Sequence, residues 1–121
     1  MKDTAELMQS LAALEERERE FGQILAKIEY TSNESKVLWQ EIYRNAIEDR
    51  TNAHLLFVDL YRFVFNDHEK HQIHAKHLSA YLERMNKATD QLLKLAELVD
   101  SARREDEKID AEALYSQLES H

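Results

Sequence analysis

Residues 55–65 read LLFVDLYRFVF, nine apolar positions interrupted only by Asp59 and Arg62, and how this stretch folds decides the architecture. Its aromatic and β-branched content has strand propensity, but no other segment of the chain supplies an edge for it to pair with. It lies instead inside a long helical pattern. A helix that is apolar nearly all round cannot be covered by one neighbour, so this stretch asks for partners on several sides. A chain of 121 residues has few to offer. Asp59 and Arg62 sharpen the demand, because charges inside an apolar run are costly unless paired along their own helix or across a contact between subunits.

Upstream, Leu38, Ile42, Ala46, Ala53, Leu56, Leu60 and Phe63 form one stripe of a helix from about Glu34 to Phe65, with Phe57, Tyr61 and Val64 beside it. Before it, Leu7, Leu11, Leu14, Phe21, Leu25 and Ile28 alternate spacings of four and three, a coiled-coil-like seam that Glu18 interrupts. Thr31, Ser32 and Asn33 separate the two patterns and offer N-caps, while Tyr30 is placed to pack back. Downstream, Asn66 and Asp67 make the break. Asp67 caps a third helix with Leu78, Tyr81 or Leu82, Met85, Ala88, Leu92, Leu95 and Val99 on its stripe, reaching about Ser101. The charge run from Arg103 to Lys108 reads as a solvated linker or frayed end, after which Asp110 caps a short amphipathic helix bearing Ala111, Leu114, Tyr115 and Leu118.

The expected fold is therefore all-α: an N-terminal amphipathic helix in 1–30, a long antiparallel helical hairpin in 34–101, and an acidic tail with a short helix in 102–121. A helix of about 30 residues is roughly 45 Å long, whereas a compact chain of this length is only about 35 Å across. The hairpin is too long for a globule. An isolated hairpin leaves Phe57, Tyr61 and Phe65 in water, at about 25 cal/mol per Å² of apolar surface, and self-association removes that exposure. A four-helix monomer would bury the run within one chain instead.

Composition narrows the function classes. The chain has no proline, no cysteine and one glycine, Gly22, so sheets, tight turns, disulfides and zinc–thiolate sites find no support. No apolar run approaches the roughly 20 residues of a membrane span, and acidic residues fill the start where a signal peptide would be apolar. The expected setting is cytoplasmic, with no membrane partner. Net charge is −8 and concentrates at the ends, with 4 basic against 8 acidic residues in 1–34 and 1 against 6 in 105–121. Residues 67–104 carry 7 basic and 6 acidic, so nucleic acid is gripped only if many copies combine their middle segments.

His68, His71, His74 and His77 recur every three residues. On a helix that spacing turns each side chain by about −60°, so the four spread over half the circumference and cannot chelate one metal together. They read as polar positions of a helix start. No serine has a recognisable nucleophile setting, no glycine-rich loop cradles phosphate, and nearly all the carboxylates fall on solvent faces. No catalytic residue, metal or cofactor is expected.

Residues 74–99, HAKHLSAYLERMNKATDQLLKLAELV, resemble the second helix of the central hairpin in small terminase subunits of tailed bacteriophages, and RNAIEDRTNAHLLFVDLYRFVFND before them looks like the first. The likeness covers roughly residues 38–100 and includes the break at Asn66 and Asp67. It implies a ring-like homo-oligomer that recognises double-stranded viral DNA at the start of genome packaging, in the cytoplasm of the infected bacterial host. The ring would regulate the ATPase and nuclease of a separate large terminase subunit and would not itself be an enzyme. Members with an N-terminal helix-turn-helix read DNA with it; here 1–30 offers a single acidic helix. The expected subunit contact comprises Leu56, Phe57, Asp59, Leu60, Tyr61, Arg62, Val64, Phe65, Tyr81, Met85 and Leu92. DNA would meet Lys70, Lys76, Arg84 and Lys87, with Arg44 and Arg50 as supplements, and Leu114, Tyr115 and Leu118 would dock the large subunit. The alternative is a non-enzymatic coiled-coil adaptor or regulator forming a small homo-oligomer.

Overall fold

The structure is a computed structural model that describes residues 4–120, and it contains three α-helices and no strand among them. Helix α1 spans Thr4–Ala26, α2 spans Asn33–Val64 and α3 spans His68–Glu119. At 1.5 Å per residue, α3 is about 78 Å long.

The expected fourth helix does not exist. Residues 102–110 continue α3 without a break, and Asp110 lies within the helix instead of capping a new one. The run holds no glycine or proline to stop it, and Arg104 is paired one turn back with Asp100 at 2.9 Å. The two other helix starts follow the sequence signals. Ser32 caps α2, its side chain accepting from the Ser35 amide at 3.2 Å, and Asp67 caps α3 by accepting from the Lys70 amide at 3.1 Å. Between α2 and α3 only three residues intervene, and Asn66 turns the chain with φ 63°. This left-handed conformation is one that asparagine tolerates better than most side chains.

Helices α2 and α3 pack along one another, with contacts that proceed in opposite directions: Phe63 meets His74 beside the turn, and Arg50 hydrogen-bonds Thr89 further away. Small side chains line this seam. Ala46, Ala53 and Ala88 are buried with Ile47, Val64 and Leu78, and alanine lets helix axes approach closely.

The wider core forms where α1 joins. Phe21, Leu25 and Ile28 meet Leu95 and Val99 of α3, with Trp39, Ile42, Tyr43 and Ala102 packed around them. Each fully buried aliphatic contributes about 1.5–3 kcal/mol of transfer free energy. Phe21 stacks on Tyr43 with ring centroids 4.3 Å apart. Glu18, which breaks the α1 seam, has its carbonyl satisfied by the Gln40 side chain at 2.9 Å. A Cβ at Gly22 would lie 3.2 Å from the Gln40 carboxamide oxygen. The glycine therefore leaves room for that bond, against a cost in helix propensity of about 1 kcal/mol.

The connection between α1 and α2 is tied to α3 across the chain. Asp106 accepts from the amides of Glu29 at 2.7 Å and Tyr30 at 3.1 Å, and the Tyr30 hydroxyl donates to Asp110 at 3.1 Å. That hydrogen bond, with the charge of Asp110 beside it, holds the Tyr30 phenol above its usual range. The acidic run is thus helical and partly engaged. Asp106→Ala removes the acceptor for both amides and is expected to destabilise the fold by about 1–2 kcal/mol, with Asp106→Asn recovering part of the loss; urea unfolding of the three proteins measures it.

Candidate self-association surface

The stretch 55–65 forms the last turns of α2 with Phe65 as its C-cap, beyond the α1 contacts at Gln40, Tyr43 and Arg44 and the cavity where Arg17 meets Arg50 and His54. Its residues divide by angle around the helix. Val64 is 2% exposed and belongs to the protomer's own core. Phe57 and Leu60 are half-buried, and Phe57, Tyr61 and Phe65 run as a ladder of rings with successive centroids 5.9 and 5.8 Å apart. Tyr61 and Phe65 are otherwise open to solvent, as are Leu56 and Phe63, at 46% and 55% exposure. On α3, Tyr81, Met85 and Leu92 are half-buried. The apolar excess read from the sequence is therefore present on the surface of the protomer.

Periodicity puts Phe63 and Leu38 on the main stripe of α2, yet more than half of each is exposed. The reason is angular. Relative to buried Ala53, Leu56 and Phe63 lie about 60–80° to one side, while Tyr43, Arg50 and His54 lie about 60–100° to the other. Helix α1 occupies that second side, where Arg17 shares a cavity with Arg50 and His54. Helix periodicity finds the apolar positions but cannot say which flank the third helix covers. The exposed apolar residues flanking the turn also include Ile73 and Leu82.

Asp59 and Arg62 are both exposed, and among the described residues they form no ion pair with each other, so pairing along the helix does not account for them. Lys70 sits 4.5 Å over the Phe63 ring and 4.0 Å from Asp67, a cation held at an aromatic face. The other predicted basic residues separate into two groups. Arg44 is engaged by Glu48 at 3.1 Å and reaches to 4.0 Å from Glu18; these carboxylates, Glu48 first through its hydrogen bond, raise its already high pKa. Arg50 donates to Thr89 at 3.1 Å. Lys76, Arg84 and Lys87 are exposed on α3. Lys76 and Lys87 are eleven residues apart and so nearly in line on the helix, but Glu83 and Asp90 fall within about 40° of that line, and the patch is of mixed charge.

His74 lies edge-on to Phe63 at 5.7 Å and 6.3 Å from His77. Among the described residues no group of three or more His, Cys, Asp or Glu is arranged to hold a metal ion, and no helix is long and apolar enough to cross a membrane. At the far end of α3, Leu114, Tyr115 and Leu118 are all mostly exposed. Comparison with family profiles, with characterised proteins and with solved structures returned no match to this chain.

Substitutions at the exposed positions test the surface without disturbing the seam. If this surface joins copies, Leu56→Asp or Phe63→Asp lowers the mass seen by light scattering while far-ultraviolet circular dichroism stays unchanged, since about half of each side chain is already solvated in the single chain. Phe57→Asp or Leu60→Asp, which reach into the packing of the helix pair, should lower helix content as well.

Proposed function

We propose that the protein is a non-enzymatic packaging subunit of the small-terminase kind. In this reading α2 and α3 are the central hairpin of each subunit, copies close into a ring, and the ring engages double-stranded viral DNA and regulates a large subunit's ATPase and nuclease in the infected bacterial host. The observation that carries it is the uncovered apolar side of α2 at Leu56 and Phe63, in the segment that resembles the first hairpin helix. The three-residue turn at Asn66 and Asp67 falls where that resemblance has its break, and residues 74–99 lie within one uninterrupted helix.

Lys76, Arg84 and Lys87 are the residues assigned to DNA, because Arg44, Arg50 and Lys70 are engaged within the protomer. A protomer of net charge −8 has no strong grip on a duplex; repetition around a ring multiplies a modest local excess and makes binding steeply salt-dependent. Leu114, Tyr115 and Leu118 are assigned to the large subunit, as an apolar strip on the end of α3 beyond its contacts with the rest of the chain.

A second reading, a small homo-oligomeric adaptor, is favoured by the interleaving of Glu83 and Asp90 with the basic line. Solution mass and DNA retention separate the two. Light scattering is expected to give a closed oligomer larger than a tetramer, and fluorescence anisotropy with a linear duplex is expected to give binding that weakens steeply with salt. Lys76→Glu combined with Lys87→Glu should keep the mass and abolish the binding. A dimer to tetramer that ignores the duplex establishes the adaptor instead.

The tail is tested by deletion of residues 112–121, which spares Asp106 and Asp110. The ring should persist while stimulation of a cognate large-subunit ATPase drops several-fold; full stimulation removes the docking assignment.

A further inference from the structure

The protomer has two unlike sides. The pair α2 and α3 forms a layer one helix thick, and α1 lies on one flank of it, where Phe21 and Ile24 share a cavity with Tyr43, Leu92 and Ala96. The opposite flank holds a groove of about 390 Å³ lined by Ile42, Asn45, Gln91, Lys94, Leu95 and Leu98, with no residue of α1. Exposed Leu38 lies one turn from Ile42 on the same side, and Leu56 and Phe63 continue that side towards the turn. The groove has one cation and no carboxylate in its lining.

The first half of α1 is its complement. Leu7, Met8 and Leu11 are about half or more exposed, because α1 outruns the core cluster that holds its other end at Phe21, Leu25 and Ile28. Residues 4–16 carry Glu6, Glu15 and Glu16 and no lysine or arginine. Leu7 and Leu11 are one turn apart, the spacing of Ile42, which lines the groove, and Leu38 just beyond it.

We infer that the contact between copies is heterologous: the N-terminal half of α1 from one protomer lies in the α1-free groove of the next. An apolar strip framed by carboxylates meets an apolar groove framed by Lys94, and Leu7, Met8 and Leu11 on the strip, like Leu38 and Leu98 on the groove side, are exposed within their own chain. A contact between two different patches generates a ring when the rotation closes, whereas a patch that meets its own copy stops at a dimer. The inference rests on the ring reading above and supplies the contact that closes it. Helix α1 then serves assembly.

The chain contains no cysteine, so paired cysteines report this contact alone. Proteins carrying Leu11→Cys and Leu98→Cys are mixed at equal concentration and oxidised, after circular dichroism has shown that both keep the wild-type helix content. The expected product is the Leu11→Cys with Leu98→Cys heterodimer, formed at least five-fold in excess of either homodimer; in the double variant, a ladder of linked copies replaces it. Dominant homodimers of Leu11→Cys show that α1 meets α1 and overturn the inference. An intrachain disulfide in the double variant, with no ladder, shows that α1 closes on its own chain and also overturns it. If the wild-type protein assembles but no heterodimer forms, only this inference falls, whereas a monomeric wild type removes the ring reading with it. A second measurement guards against local distortion: Leu11→Asp and Leu98→Asp, each unable to assemble alone, should combine one to one into a single dimer, since one retains the groove and the other the strip. Failure to combine is the overturning result.

Discussion

The cluster of Phe21, Leu25 and Ile28 against Leu95 and Val99 is the constraint on which the other features rest. It fixes α1 to one flank of the α2 and α3 pair, and so leaves the opposite flank without a third helix. Were α1 centred nearer the turn, it would cover part of the stretch 55–65 and the protomer would approach a self-sufficient bundle. Instead the core is gathered at the middle of α3, where three helices meet, and the turn end is only two helices thick. The clamp from Asp106 to the backbone of Glu29 and Tyr30 acts in the same place, holding the chain between α1 and α2 against α3. Burial and the clamp together set the flank.

The seam between α2 and α3 buries several small side chains. Ala46, Ala53 and Ala88 are buried along it and Val64 and Leu78 nearer the turn, while Leu56, Tyr61, Phe63 and Phe65 stay exposed on the flanks. Leu56 and Phe63 fall on the bare flank, and Tyr61 and Phe65 extend the ring ladder from Phe57 along the other. This is the physical route by which an apolar sequence becomes an apolar surface: the seam buries only part of each helix's circumference. Exposed apolar surface of this kind is where proteins make contacts.

Much of this was legible in the residues. The three long patterns, the caps at Ser32 and Asp67 and the break at Asn66 follow from apolar spacing and from side-chain oxygens that satisfy orphan amides. The run 103–108 reads in sequence as a solvated linker or frayed helix end because dense charge signals solvation, whereas it lies within α3. A helix with no glycine or proline continues through such a run when i,i+4 pairs and a long-range acceptor role for Asp106 support it. Phe63 and Leu38 share the main stripe of α2 yet stay exposed for a related reason: periodicity reports a stripe about 100° wide, and the seam buries only part of that width. Among the basic residues, nothing in the order of amino acids distinguished Arg44 and Arg50, which pair within the protomer, from Lys76 and Lys87, which stand on the surface.

By itself the sequence determined that the chain is helical, where two of its helices begin, that no thiol chemistry is available to it, and that 55–65 carries more apolar surface than one neighbour covers. These are properties of spacing and composition, and a helix repeats them every 3.6 residues wherever it is put. The tertiary structure alone decided that α3 runs unbroken to Glu119, which flank α1 takes, and therefore which apolar residues stay uncovered. Those outcomes depend on contacts between residues some 70–80 positions apart, such as Leu25 with Val99 and Tyr30 with Asp110, and local periodicity carries no information about pairs so far separated.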